Sequence, residues 1–530
     1  MATSEAPSPW NVPLLLLCAL VAWCAALRVL EWAWLRPRRL GRALRSQGLR
    51  GTAYRPLAGD APLSDRLARE ARSRPPLPPA RHNGVVPRAM PLLHHAMTEH
   101  GKTSITWLGP APRVTVAAPE LVRQVLSNKF GHFEKVSFGQ LQRLLHNGVS
   151  SHEGEKWARH RRIINPAFRL DKLKLMLPAF AVCCEDLVVR WEGLVAVGDE
   201  PLEIDVWPEM QRLTGDVISR AAFGSSYLEG RRIFELQGEQ VQLAMAVANK
   251  LHIPGYLLLP TRTNRRMKKI AAEIEGILKG IIERRESALR AGNAASEDLL
   301  GLLLESNMEQ RRAGGGGSTS GMSTDDVIGE CKLFYFAGME TTSALLTWTV
   351  VALCAHPEWQ HRAREEVLRV LGGGTGSPDY DGLSRLKVVT MVLQEVLRLY
   401  TPLPAVHRRT YKPMELGGVR YPTGVVLTLP LLWVHHDADV WGPDAGEFRP
   451  ERFADGVARA SRDAPAFFPF GWGPRTCIGQ NFALLEAKMG LAMILRRFAF
   501  ELSPSYSHAP FAGPLLQPEH GAPVMLRRLQ

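Results

Sequence analysis

The chain has 530 residues, 45% of them hydrophobic and 22% charged, an ordinary globular composition with ample material for a large core. The net charge of +13 favours an acidic partner, and nucleic acid, an anionic membrane surface and an acidic protein all fit it. The seven cysteines are sparse, odd in number and free of any C-x-x-C pair, which argues against a disulfide scaffold or structural zinc site and for a reduced, cytosolic body.

Val12 to Leu27 is apolar throughout, and the pattern continues past Arg28 and Glu31 to Leu35. As a helix this stretch is ~36 Å long, enough to cross a bilayer core of ~30 Å. Trp10, Trp32 and Trp34 flank it, and Arg36, Arg38, Arg39, Arg42, Arg45 and Arg50 follow, while only Glu5 and the amino group precede it. The positive-inside rule then predicts a single-pass anchor over 1–36 with the rest of the chain cytosolic. A cleaved signal peptide, with Cys24-Ala25-Ala26 as its site, would need a basic leader that is missing. A buried core helix fits the flanking charges poorly.

Residues 37–75 are rich in arginine and glycine with little periodicity, and read as a juxtamembrane connector closed by the stiff Arg74-Pro75-Pro76-Leu77-Pro78-Pro79 turn. From 76 to 530 the apolar periodicity is nearly continuous, which suggests one large body. Its obvious interruption, Arg312 to Met322, has four consecutive glycines but neither the lysine nor the preceding strand of a phosphate loop, and reads as a surface loop. Ser323 and Asp326 form a capping box opening a long apolar helix to about Ala355. Pro357 starts another helix that ends near the glycines at 372–374, and Leu386 to Tyr400 is a third, stopped by Pro402 and Pro404. Turns at Gly417-Gly418 and Pro422 separate β-like segments Val419–Tyr421 and Val425–Leu429, and Ala483 to Phe498 is a final helix. The balance is mostly α with a smaller β portion.

Phe470 to Gly479 reads FGWGPRTCIG. Two glycines and a proline make a tight loop ending where a helix begins, and a cysteine there has its thiolate favoured by the helix N-terminus and by Arg475. An isolated cysteine would more often be a buried structural one. This segment, however, resembles the haem-binding loop of the cytochrome P450 family, F-x-x-G-x-R-x-C-x-G, at every fixed position. The resemblance implies that Cys477 is the axial thiolate of haem b, that Arg475 pairs with a propionate, that Phe470 packs beside the sulfur and that Gly473 permits close backbone approach.

Other segments are similar to the same family in the same order. Glu395 and Arg398 share a helix face, alone a commonplace ion pair. The family implies that they are buried and joined by Arg452 of the Phe448-to-Phe453 segment FRPERF, a triad that holds the core together. Ala337 to Thr342 reads AGMETT; Gly338 weakens the helix and Thr341 can divert a carbonyl. Alone this is a packed helix with a polar patch; the resemblance makes Glu340 and Thr341 the acid–alcohol pair that delivers protons during oxygen activation, with Thr342 structural. Trp157 and Arg161 lie four apart on a basic helix, and the family gives both to the propionates. Arg408 is a further propionate candidate, rivalled by His407.

More narrowly, YRPLAGD, LSNKFGHFEK, EGEKWARHRRIINPAF and IPGYLLLPTRTNRRMKKI resemble the plant group that includes secologanin synthase and oxidases of triterpenoids and gibberellins. One departure is the absence of the proline-rich hinge after the anchor, where Gly51-Thr52-Ala53-Tyr54 stands instead. The resemblance implies the mostly helical haem-thiolate fold tethered by one helix to the endoplasmic reticulum membrane. It also implies monooxygenation of a small apolar substrate by O2, with electrons from NADPH through a membrane-bound reductase. The partners are then that reductase and membrane lipid rather than nucleic acid. A terpenoid substrate is expected, a triterpenoid, gibberellin or related isoprenoid, with brassinosteroids, fatty acids and xenobiotics as alternatives. Substrate contacts are expected at about 131–150, 240–260 and 508–515. A rearranging enzyme on the same fold would ignore NADPH and reductase, and a non-catalytic scaffold would give no oxygen-dependent product.

Overall fold

The computed structural model describes residues 11–529 apart from 129–130, 138, 196–199, 225–226, 251–252, 254, 292–297, 314–320, 374–375 and 462–464. Glu5, Trp10 and most of the glycine-rich loop therefore lie outside the described residues.

Helix α1, Asn11–Leu30, passes through a π-helical turn, Glu31–Leu35, into α2, Arg36–Arg45. The apolar part of this rod is exposed to its surroundings, as a segment meant for lipid would be. Its lower end is fastened to the body by Tyr54, whose hydroxyl donates to the Ala33 carbonyl, and is braced within itself by the pair of Glu31 with Arg39. Residues 37–75, expected to form a connector of little periodicity, are folded. Strand β1, Arg50–Gly51, joins the main sheet, Ala61–Ser73 is a helix, and Leu44 is fully buried. The reason is a narrow stripe that the arginines disguise. Gly41 lies so close to Trp107 that an added Cβ would sit 3.1 Å from its ring, and Asp60 accepts from the Trp107 amide at 2.7 Å.

The main sheet also contains β2 (Ser104–Leu108), β3 (Ala111–Thr115), β4 (Phe133–Lys135), β5 (Val406–Thr410) and β6 (Val426–Leu429), in the order β1-β2-β3-β6-β5-β4. Val419–Tyr421 pairs instead with Met414–Leu416 in a hairpin around Gly417-Gly418, both glycines having positive φ.

The helical part is built around α3 (Gly154–Ile164), α4 (Val206–Phe223), α5 (Tyr227–Val247), α6 (Thr324–Ala355), α7 (Pro357–Leu371), α8 (Lys387–Leu399) and α9 (Gln480–Arg497). The expected capping box opens α6, with Ser323 and Asp326 bonded reciprocally. This helix is buried nearly all round, because its apolar residues are not confined to one stripe. Helix α4 crosses it closely: a Cβ on Gly338 would lie 2.7 Å from Ile218. Gly338 thus serves packing, and α6 continues unbroken through it. Helix α8 follows α7 and brings Glu395 and Arg398 into the interior.

Candidate active site

Cys477 lies in the loop just before α9. Its amide donates to the Phe470 carbonyl at 2.8 Å, closing the loop on itself. Gly473 has φ of +71°, and a Cβ there would meet the Leu126 carbonyl at 2.8 Å, so only glycine fits. The cysteine is exposed, yet burial raises the pKa of its thiol. Its sulfur therefore faces a hollow enclosed by protein rather than bulk solvent. An amide bond from Gly479 and the charges of Arg161 and Lys135 oppose the burial and favour the thiolate.

Cations gather beside this hollow. Arg475 donates to the His152 carbonyl at 2.7 Å, pairs with Glu153, and holds its guanidinium 4.2 Å from the Trp157 ring centre. Arg408 donates to the His407 carbonyl at 2.9 Å, and burial followed by Arg475 lowers it to about 10. Lys135 donates to the Ser150 carbonyl at 2.7 Å, and burial, Arg408 and Arg475 push it down to about 7. Burial also lowers Arg161, which Cys477 counteracts. Against these four cations stands the Glu153 carboxylate. The surplus charge suits a dianionic ligand, and a haem with two propionates beside a free thiol meets that requirement.

The structure thus brings Trp157, Arg161, Arg408 and Arg475 into one neighbourhood with Cys477, and adds Lys135 and Glu153. Neither of these stands out by spacing. Lys135 enters because β4 pairs with β5, and Glu153 because it precedes α3.

On α6 the Thr341 hydroxyl donates to the Ala337 carbonyl at 2.6 Å, and Thr214 of α4 donates to the Met339 carbonyl at 2.9 Å. Glu340 is bonded to Gln211, yet burial raises its pKa and favours the protonated acid. The His160 ring lies 2.6 Å from the Glu330 carboxylate, tying α3 to α6 from within the core.

Arg398 and Glu395 are fully buried and bidentate, at 2.8 and 2.7 Å. The other guanidinium N–H groups of Arg398 reach the carbonyls of His435, Ala445 and Glu447. Arg452 stands 3.5 Å from Glu395 and closer, at 2.9 Å, to Asp444, a fourth member absent from the expected triad.

A cavity of about 1050 Å³ extends from Trp32 and Leu40 to Phe336, one turn before Glu340. Leu141, Val241 and Gly513 represent the three expected contact segments in its wall; β3 and the end of the anchor contribute as well. Gln240 keeps a buried Oε1 without a partner there.

The family model for cytochrome P450 matches residues 84–524. Cytochrome P450 CYP72A616 of Paris polyphylla is 58% identical, over 97% of this chain and 98% of its own. Echinocystic acid 23-monooxygenase of Saponaria officinalis is 48% identical, over 95% of this chain and 96% of its own. Among solved structures, the retinoic acid-bound cyanobacterial CYP120A1 superposes with a TM-score of 0.73 at 22% identity, over 91% of this chain and 99% of that one, which supports the fold. The chain therefore belongs to the cytochrome P450 family, as a plant monooxygenase of the 72A group.

Proposed function

We propose that this monooxygenase oxidises a terpenoid, a triterpenoid or related isoprenoid, using O2 and electrons from NADPH delivered by a membrane-bound reductase at the endoplasmic reticulum. The carrying observation is the large, mostly apolar cavity that ends near Glu340, on a chain 48% identical to a monooxygenase of echinocystic acid. The anchor-like helix and the net charge of +13 support a membrane site and an acidic redox partner.

Cys477 would hold the haem iron as thiolate, while Arg475, Arg161, Arg408, Trp157 and Lys135 would hold the propionates. Phe470 and Gly473 shape the loop beneath. When bound, haem supplies oxygen reduction: substrate, O2, NADPH and a proton become hydroxylated product, NADP⁺ and water. The chain's own part is the proton and the pocket. Glu340, whose pKa burial raises, would give a proton towards Thr341, whose hydroxyl must first leave the Ala337 carbonyl. Glu395, Arg398 and Arg452 would act by holding the segment before the cysteine loop in place.

Microsomes containing this protein and its reductase, given NADPH and echinocystic acid or related triterpenoids, should yield an oxygen-dependent product. Binding and turnover confined to fatty acids or steroids would overturn the terpenoid reading. Thr341→Ala should consume NADPH while losing product to peroxide; full coupling in that variant would remove the proton role.

A further inference from the structure

The charge of the cavity wall is one-sided. Its described residues include Arg36, Arg113 and Arg409 but no aspartate or glutamate. Arg409 is spoken for by Glu134 at 3.1 Å, and Arg36 is exposed on α2. Arg113 is different. It sits in β3, in register with Thr106 of β2 and Val426 of β6, and its neighbour Val114 points into the fully buried core on the opposite face.

The Nε of Arg113 is enclosed without a hydrogen-bond partner. Asp60 acts on it through space, but the Asp60 Oδ2 already accepts from the Trp107 amide and the Thr52 hydroxyl, each at 2.7 Å. Arg113 also borders a smaller cavity of about 320 Å³, whose other acid, Glu519, pairs with Arg72 at 3.0 Å. His407, in the same wall, offers no charge of its own: burial and then Arg113 hold it down to about 4. A guanidinium does not deprotonate in a protein, and an enclosed one without a full counter-charge is costly. Arg113 keeps a place open for an acceptor at Nε, although Asp60 offsets part of its charge through space. Its planar fork matches a carboxylate.

We propose that Arg113 binds a carboxylate of the substrate, so that the enzyme takes an apolar polycyclic acid rather than a neutral hydrocarbon. This rests on the terpenoid reading and narrows it.

The test is a spectral binding titration of the full-length holoprotein in lipid nanodiscs, with echinocystic acid and its methyl ester. The wild type should bind the acid at least about tenfold more tightly, the size of a charge-assisted bond. Arg113→Leu should bind acid and ester alike, with the ester unchanged, and Arg113→Lys should keep part of the preference. Equal binding of both forms by the wild type overturns the proposal, as does a preference that survives in Arg113→Leu. Failure of both triterpenoids to bind would count against the terpenoid reading alone. Dodecanoate against 1-dodecanol then decides the role of Arg113 by the same criterion, and no variant need fold for the wild-type comparison to refute it.

Discussion

Lys135 and Arg408 stand directly opposite one another across the antiparallel pair β4–β5. Like charges at opposed positions of a sheet destabilise it, and here burial adds to the cost. A bound dianion reverses that sign. Lys135→Met should therefore raise the melting temperature of the haem-free protein while hastening haem release, on the order of tenfold for one lost charge-assisted bond. Transfer of haem to a scavenger apoprotein measures the second effect. Equal release rates in the two proteins would remove Lys135 from the haem site.

Gly473→Ala tests the cysteine loop. The new methyl would strain a backbone of positive φ and press on the Leu126 carbonyl. The variant should fold with its helical content intact but give a weak or shifted carbon monoxide difference spectrum after reduction. A normal spectrum would show that the loop yields easily.

Arg398→Lys tests the buried triad. Lysine keeps the charge but replaces a planar five-donor fork with a point donor, leaving carbonyls of His435, Ala445 and Glu447 short of partners. Breaking such a buried network costs about 3–5 kcal/mol. Holoprotein yield should collapse, and denaturant titration should show the loss in any protein that remains.

Acid should destabilise the fold well before its carboxylates titrate. Burial holds His146, His407 and His508 down to about 4 from an ordinary 6.5. Between those values the unfolded chain binds more protons than the native one. Their contribution is therefore complete above about 6.5 and shrinks as pH falls towards about 4. Melting temperature should fall across that window, and His407→Gln should flatten the slope. An unchanged slope in the variant would assign the transition to other groups.

The features legible from the sequence are short and contiguous. The cysteine loop carries its glycine, arginine and thiol within ten residues, and the Ser323–Asp326 box announces α6 three residues ahead of its periodicity. What escaped depends on register or on distant strands meeting. Lys135 looks like any surface lysine until β4 is laid against β5, and Asp444 joins Arg452 only after the intervening chain has turned back. The folded state of residues 37–75 escaped for another reason. Leu44, Leu49, Ala71 and Gly41 do its packing among many arginines, too scattered to set a period.

Trp32 and Leu40 sit on the rod that leaves the body, and they also form part of the cavity wall. With that rod in a bilayer, this side of the cavity would lie where greasy solutes accumulate. Partition into lipid, rather than solubility in water, then sets the dose that the enzyme meets. A version trimmed of its first forty residues would lose Trp32 and Leu40 from that wall together with the apolar helix.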